Sequence, residues 1–406
     1  MRANHFITGM ILLFLWNAVP AQEDPDPWPG KEAIITVAPD SLVRTVLDHN
    51  RTFLAAREKY RVSSLEARTG ITPPDPRVEL GYLYGKPEEL GNRVDFSVSQ
   101  EFDFPTAYVY RSRTSDLEIA QAALDLTLVR QEVVYEAVRL WIERVYLNGL
   151  EQMLEGRMEL ARQLLSQFRQ SVSLGEAGRL ALSQSNLQAT ALRAELEGVR
   201  AEIRANGAAM AEVTGGVVSE ISDTLLPSAR PIDPDTILRA YRQGPAMQYF
   251  RQEVERREQM KSLATSLRLP KISAGYYSES VAAEQFRGFQ VGISVPLWEH
   301  ANRIDLARSE VLFAEADAER ALYRLEREVQ EKIERWRSLD RTIRDMEEAL
   351  SMVNDIELLR LAWEGGEISL VEYMVGTDLY FRNQQSLHNY RKERLLVEAE
   401  LRKVYY

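Results

Sequence analysis

Residues 94–105 read Val-Asp-Phe-Ser-Val-Ser-Gln-Glu-Phe-Asp-Phe-Pro. Successive side chains of a strand point to opposite sides, so this stretch predicts one apolar face and one polar face, with only Gln100 out of place. Strands that contact hydrocarbon on one side and water on the other alternate in this way over about nine to eleven residues. We therefore expect a membrane-type strand. Its expected lipid-facing residues are Val94, Phe96, Val98, Phe102 and Phe104, and its expected lumen-facing residues are Asp95, Ser97, Ser99, Glu101 and Asp103.

The composition excludes several kinds of function. The chain has 406 residues and a net charge of -11, which argues against a nucleic-acid partner because such partners require a basic surface. It has no cysteine, so disulfides, thiolate metal sites, thiol nucleophiles and a lipid-anchor cysteine are all excluded. Its four histidines share no metal-ligand spacing, and no nucleophile motif or phosphate loop occurs. We expect no enzyme activity, no cofactor and no metal site.

The N-terminal segment is typical of a cleavable signal peptide. Arg2 precedes an apolar run over residues 6–19, which is too short for a spanning helix, and cleavage is expected after Ala21. A short N-terminal membrane anchor is the alternative. Residues 1–21 are therefore assigned to export, and the Pro-, Asp- and Gly-rich residues 22–36 to an irregular leader.

A first repeat is expected over residues 37–215. It begins with a helix over about 40–68, followed by a β-hairpin at about 77–104. The apolar period then changes from two to about 3.6 and continues beyond residue 172, which predicts a helix of roughly 100 Å. A glycine-containing turn at about 173–178 and a return helix complete a long helical hairpin.

The same series recurs after a linker at 216–234, which indicates an internal duplication. The second repeat, 235–406, predicts a helix over about 235–266, a β-hairpin at about 271–297, a second long helix, a turn at about 364–369 and a return helix. Val-x-x-Ser-Val occurs at 94–98 and again at 291–295, 197 residues apart. The predicted fold is mainly α with a small β part and four strands per chain.

Four strands cannot close a membrane barrel by themselves. Single-chain barrels begin at about eight strands, and unpaired strand edges are not tolerated in lipid. We therefore expect the chain to assemble with copies of itself. Three copies would supply about twelve strands, enough to leave a water-filled interior within a closed cyclic symmetry.

Three stretches carry a family resemblance. They are Pro-Asp-Pro-Arg-Val-Glu-Leu-Gly at 74–81, Val-Gly-Ile-Ser-Val-Pro-Leu at 291–297 and Gly-Glu-Ile-Ser-Leu-Val-Glu at 366–372. With the duplication, they make the sequence resemble the TolC-type outer-membrane efflux protein family over nearly the whole mature chain. The resemblance implies a homotrimer, a twelve-stranded barrel in outer-membrane lipid and a periplasmic α-barrel. It also implies a periplasmic adaptor (membrane fusion) protein and an inner-membrane pump of the RND or ABC type as partners, in passive export through a tripartite efflux pump or type I secretion system.

The resemblance also assigns candidate site residues. It places Gly175, Glu176, Gly366 and Glu367 at periplasmic tips that dock the adaptor, and Glu372 in an acidic ring at the gate. Ordinary helix capping explains the tip glycines equally well.

The polar strand face leaves two interpretations open. Its carboxylates would form acidic rings that favour cations in the lumen, or they would only keep a wide pore wet. The whole pattern also has an alternative, a soluble periplasmic or surface coiled-coil scaffold whose strands pack against other protein and which has no channel activity.

Overall fold

A computed structural model describes residues 38–87, 91–173, 179–217, 220–281, 284–296, 298, 301–352 and 356–406. All of them belong to one unit, Ile34–Tyr406. The predicted signal peptide (1–21), the leader (22–36) and the tip residues Gly175 and Glu176 lie outside the described residues.

The described part of the chain is mainly helical with one small sheet, so the predicted fold class is confirmed. Its strands are β1 (Arg77–Leu83), β2 (Arg93–Phe102), β3 (Lys271–Val281) and β4 (Glu284–Ser294). Its α-helices are α1 (Asp40–His49), α2 (Arg51–Ala67), α3 (Pro105–Ser173), α4 (Arg179–Val213), α5 (Pro234–Gln243), α6 (Pro245–Ser266), α7 (Arg303–Met352), α8 (Ile356–Glu364) and α9 (Leu370–Arg402), and Lys403–Tyr405 form a 3-10 helix.

The sheet joins the β-hairpins of the two repeats side by side. Its strand order is β1-β2-β3-β4, and every neighbouring pair is antiparallel. Val98 of β2 lies opposite Val78 of β1 and Tyr276 of β3, so the apolar positions of neighbouring strands share one face. Within the described chain, β1 and β4 are the two edge strands.

Two helices that the sequence predicted as continuous are broken. The helix expected over 40–68 is α1 and α2, because the buried Asn50 caps α2 by accepting a hydrogen bond from the Phe53 backbone N–H at 2.9 Å. The Asn50 amide also donates to the Val213 carbonyl at 2.8 Å, which ties the break to the end of α4. The helix expected over 235–266 is α5 and α6, because Pro245 at the start of α6 has no N–H to continue the ladder from Gly244.

The long helix α3 provides the surface on which the other helices pack. Its 69 residues correspond to about 100 Å of helix. Buried Val134 and Ile142 of α3 pack with Val46 of α1 and Leu395 of α9 in the largest apolar cluster. Farther along α3, Leu154 packs with Leu192 and other apolar side chains of α4. The long helices are therefore held by extended apolar seams.

A buried carboxylate fixes the linker that joins the repeats. Glu398 of α9 is 0% exposed and accepts hydrogen bonds from Arg402 Nε at 3.0 Å and from the Arg230 backbone N–H at 3.1 Å. Burial raises the pKa of Glu398, because the charged form loses water, and these two donors act in the opposite direction. The linker is thus bonded to the end of the second repeat.

None of the described helices combines the length and the apolar character that a membrane-spanning helix requires.

Candidate functional site

The apolar face of the sheet is open in the single chain. Of the five residues predicted to face lipid, Val94, Phe96, Phe102 and Phe104 are each 37% exposed and Val98 is half-buried. The neighbouring strands add further large apolar side chains that are exposed on this face. They are Val78, Leu80 and Tyr82 of β1, Ile272 of β3, and Phe289, Val291 and Ile293 of β4.

A continuous apolar surface across four strands is unusual for a protein in water. Phe289 on the edge strand β4 is 91% exposed, and its ring meets the Tyr276 ring in an edge-to-face arrangement at a centroid distance of 5.9 Å. Water-exposed chains rarely carry contiguous apolar patches beyond a few hundred Å² unless another surface covers them. The face therefore needs lipid or protein against it.

The three carboxylates predicted on the opposite, polar face are each paired with a basic group. Asp95 Oδ1 lies 2.8 Å from Arg93 Nε, and Glu101 Oε1 lies 3.2 Å from Lys271 Nζ. Just past the strand, Asp103 Oδ2 lies 2.5 Å from Arg111 Nη2. Each expected acidic position thus contacts a basic group, although Asp95 shares Arg93 with Glu279, and this pairing weakens the field that unpaired carboxylates would create.

Sequence reasoning missed these basic partners. Arg93 lies two residues before Asp95 and on the same face, a spacing that period-two alternation does show. Lys271, Tyr277 and Glu279 belong to the second repeat and meet β2 only through the pairing register of β2 with β3. No local pattern encodes that register.

The turn between α8 and α9 combines two capping motifs. Gly366 has φ of 73°, and the N–H of Glu367 donates to the Ala362 carbonyl at 2.8 Å, as at a glycine-terminated helix end. Glu372 accepts from the Ser369 backbone N–H at 2.7 Å, while Ser369 Oγ accepts from the Glu372 N–H at 3.3 Å. The gate candidate Glu372 is thus one half of a capping box that starts α9.

Side-chain contacts fix this turn to the rest of the chain. The Trp363 and Tyr373 rings stack at 5.1 Å, and Tyr373 is 1% exposed. On the next turns of α9, Asp378 Oδ1 lies 3.2 Å from Nη2 of the buried Arg157 on α3, whose guanidinium also lies over the Phe381 ring. This contact joins the helical hairpins of the two repeats close to the α8–α9 turn.

Two substitutions of Glu372 distinguish its role as a negative charge from its role as a helix cap. Glu372→Ala removes both the charge and the cap, whereas Glu372→Gln removes the charge and keeps a side chain that serves at this capping position. We expect Glu372→Ala alone to loosen the α9 N-terminus, measured as faster amide hydrogen exchange over 369–376. Faster exchange in both variants would instead show that the negative charge holds the turn.

The hydrogen bonds between Ser369 and Glu372 make the stability of the α9 N-terminus depend on pH. Hydrogen bonds from Ser369 lower the pKa of Glu372 below its ordinary value of 4.5. A carboxyl whose pKa is lower in the folded state stabilises that state above its unfolded pKa. The part of the cap's stabilisation that depends on the negative charge is therefore expected to be complete at neutral pH and lost as the pH falls below about 4.5 through the lowered folded-state pKa.

Within the described residues, no group of three or more His, Asp or Glu side chains is arranged to hold a metal ion.

Comparison with known proteins gives matches among solved structures. No protein-family model and no curated protein matches the chain. CusC, described for its folding and transmembrane channel formation, aligns at 14% identity with a TM-score of 0.72, over 93% of this chain and 96% of that chain. The outer membrane protein VceC of Vibrio cholerae aligns at 13% identity with a TM-score of 0.71, over 90% and 95%. The CmeC outer membrane channel of Campylobacter jejuni aligns at 14% identity with a TM-score of 0.69, over 90% and 84%.

These similarities cover nearly whole chains, although few residues are identical. The sheet and the two long helical hairpins are arranged as in these solved structures, so the chain shares their fold. The chain has the TolC-type fold that its sequence resembles.

Proposed function

We propose that three copies of this chain form an outer-membrane duct, which exports substrates passively in a tripartite efflux pump or a type I secretion system. The observation that carries the proposal is the four-stranded sheet with one apolar face, one polar face and two open edges. The similarity of fold to outer-membrane channels supports the same role.

The sheet edges determine how the copies would join. Because all strand pairs are antiparallel, β4 of one copy runs in the direction that pairs antiparallel with β1 of the next. Open edges cannot remain unpaired in lipid, so the ring must close. Two copies would give a barrel of about eight strands filled by side chains, whereas three give about twelve and leave a lumen.

Exposed apolar side chains on the helices favour the same assembly. Val62 and Leu65 of α2 and Leu312 and Phe313 of α7 are each more than half exposed in the single chain. In a ring of copies, such surfaces of neighbouring helices would pack and form the α-barrel. The homotrimer would thereby bury surfaces that the single chain leaves open.

The two faces of the sheet contact different environments in this assembly. Val94, Phe96, Val98, Phe102 and Phe104 face lipid, and Asp95, Ser97, Ser99, Glu101 and Asp103 face the lumen or its lower rim. Ion pairing of the three carboxylates supports a wet wall rather than a strongly cation-selective one.

The helical ends extend into the periplasm and meet the pump complex. Gly175, Glu176, Gly366 and Glu367 form the tips that dock a periplasmic adaptor, which connects the duct to an inner-membrane pump of the RND or ABC type. Exposed Val371, Val375 and Leu379 recur every four residues along α9 beside the second tip and provide apolar area for a partner helix. Residues 1–21 direct export, and the mature chain resides in the outer membrane.

Planar bilayer recording of the purified full-length protein tests the proposal. We expect stepwise conductance from single trimers, with no ATP or other energy source added. A soluble periplasmic or surface scaffold would give no steps and would fractionate without lipid, and that result would overturn the proposal.

A further inference from the structure

An unusual pair of acids lies on the polar face near the hairpin loops. Asp95 of β2 and Glu279 of β3 are directly opposite each other in the pairing register. Like charges at directly opposite positions of an antiparallel pair repel and destabilise the pairing. The sheet therefore needs a positive charge at this point.

Arg93 supplies that charge from the same face of β2. Its Nε lies 2.8 Å from Asp95 Oδ1 and 3.2 Å from Glu279 Oε1, so one nitrogen contacts both carboxylates. Tyr277 completes the group, because its hydroxyl lies 3.0 Å from Arg93 Nη2 and 3.3 Å from both Asp95 Oδ1 and Glu279 Oε2. The side chains of Arg93, Asp95 and Glu279 are 43%, 21% and 26% exposed, so solution ions reach them.

Two carboxylates and a hydroxyl converge on the Arg93 guanidinium, the carboxylates on Nε and the hydroxyl on Nη2. Hard divalent cations prefer such oxygen ligands. We propose that Arg93 is a built-in counter-ion that prevents divalent cations from binding between Asp95 and Glu279 in the wall of the duct. The proposal rests on the proposed function for its location in the lumen, where three such groups would otherwise slow divalent ions.

Arg93→Gln tests this role, with Lys271→Gln as the matched control. Both changes remove one positive charge from the same sheet face. Lys271→Gln leaves Glu101 opposite Ser273, a residue without charge, whereas Arg93→Gln leaves two carboxylates facing each other. The probe is CaCl2, titrated into the full-length trimer in detergent and measured by calorimetry, with the same titration repeated during bilayer recording.

We expect Arg93→Gln to bind Ca²⁺ with half-saturation at a concentration at least tenfold lower than the wild type and Lys271→Gln. The double variant Arg93→Gln/Asp95→Asn should return to wild-type behaviour, because only one carboxylate remains. In the bilayer, Ca²⁺ should reduce the conductance of Arg93→Gln over the same concentration range. Equal Ca²⁺ affinity in Arg93→Gln and Lys271→Gln would overturn the proposal.

Two further outcomes distinguish failure of the proposed function from failure of the Arg93 proposal. If no variant or wild-type protein conducts, the proposed function fails, but calorimetry still decides whether Arg93 excludes Ca²⁺. If Arg93→Gln does not assemble, Arg93→Lys replaces it, since an ammonium group lacks the planar fork that holds two carboxylates together. Its Ca²⁺ half-saturation should then be at least threefold lower than that of the wild type, and an unchanged value would count against the proposal.

Discussion

Phe96→Lys is expected to reduce the amount of trimer in the outer membrane at least tenfold. Phe96 lies near the middle of β2, between Leu80 and Ser278 on the apolar face. A lysine on the lipid face of a barrel at the bilayer midplane costs about 2–4 kcal/mol per chain, and three chains would each carry it. The measurement is the quantity of trimer extracted from purified outer membranes.

The adjacent residue provides the control. Ser97→Lys adds the same charge one position along the strand, on the polar face and opposite Glu79. We expect its trimer yield to remain within twofold of the wild type, because water and a carboxylate solvate the ammonium group. Equal loss in the two variants would contradict the assignment of one face to lipid and the other to water.

Gly215→Ala is expected to cause the second large effect, a clear fall in the thermal unfolding midpoint. Gly215 has φ of 65°, a left-handed conformation that costs an alanine about 1–2 kcal/mol. An added Cβ would also lie 2.2 Å from the His49 carbonyl oxygen at the end of α1. That backbone is held by the α1–α2 break, so relieving the overlap should cost about 1–3 kcal/mol more.

Gly216→Ala separates the two contributions. Gly216 also has positive φ, 92°, but a Cβ there would meet no atom within 4 Å. We expect Gly216→Ala to lower the unfolding midpoint, followed by circular dichroism at 222 nm for the detergent-solubilised protein, by clearly less than Gly215→Ala. The reverse order would show that α4 does not pack against the end of α1 in this way.

The sequence predicted the strand faces because alternation is a local property. Asp95 and Phe96 are neighbours, so a strand must place them on opposite sides whatever it pairs with. The neighbours of Asp95 on β3 were harder to predict, since Tyr277 and Glu279 are more than 180 residues away in the sequence. Their approach to Asp95 depends on the register of strand pairing. Thus the expected acidic face was predicted without the basic groups that compensate it.

The helix breaks show the same limit and avoidable errors. Pro245 after Gly244 is a helix-breaking signal that the sequence shows, so the prediction of a helix continuous through residue 245 was wrong. Asn50 is a favoured N-cap residue, so its local signal was also available, and its side chain caps α2 through Phe53. The hydrogen bond from its amide to the Val213 carbonyl depends on a distant helix and could not be predicted from local sequence.

Glu372 was assigned to a gate from the family resemblance, although the local sequence also carried the signal of a helix cap. Ser369 followed three residues later by Glu372 is a capping-box pattern, and the structure contains that box. A gate role for Glu372 remains a proposal, and it must now operate together with a cap. The contact of Arg157 with Asp378, which joins two helical hairpins, had no sequence signature.

Native mass spectrometry of the particle extracted from outer membranes tests whether three copies of the chain assemble. We expect a complex of three identical chains, because three is the smallest number of four-stranded chains that closes a barrel with a lumen. A particle containing a single chain would contradict it, since the two edges and the apolar face of the sheet would then remain uncovered in lipid.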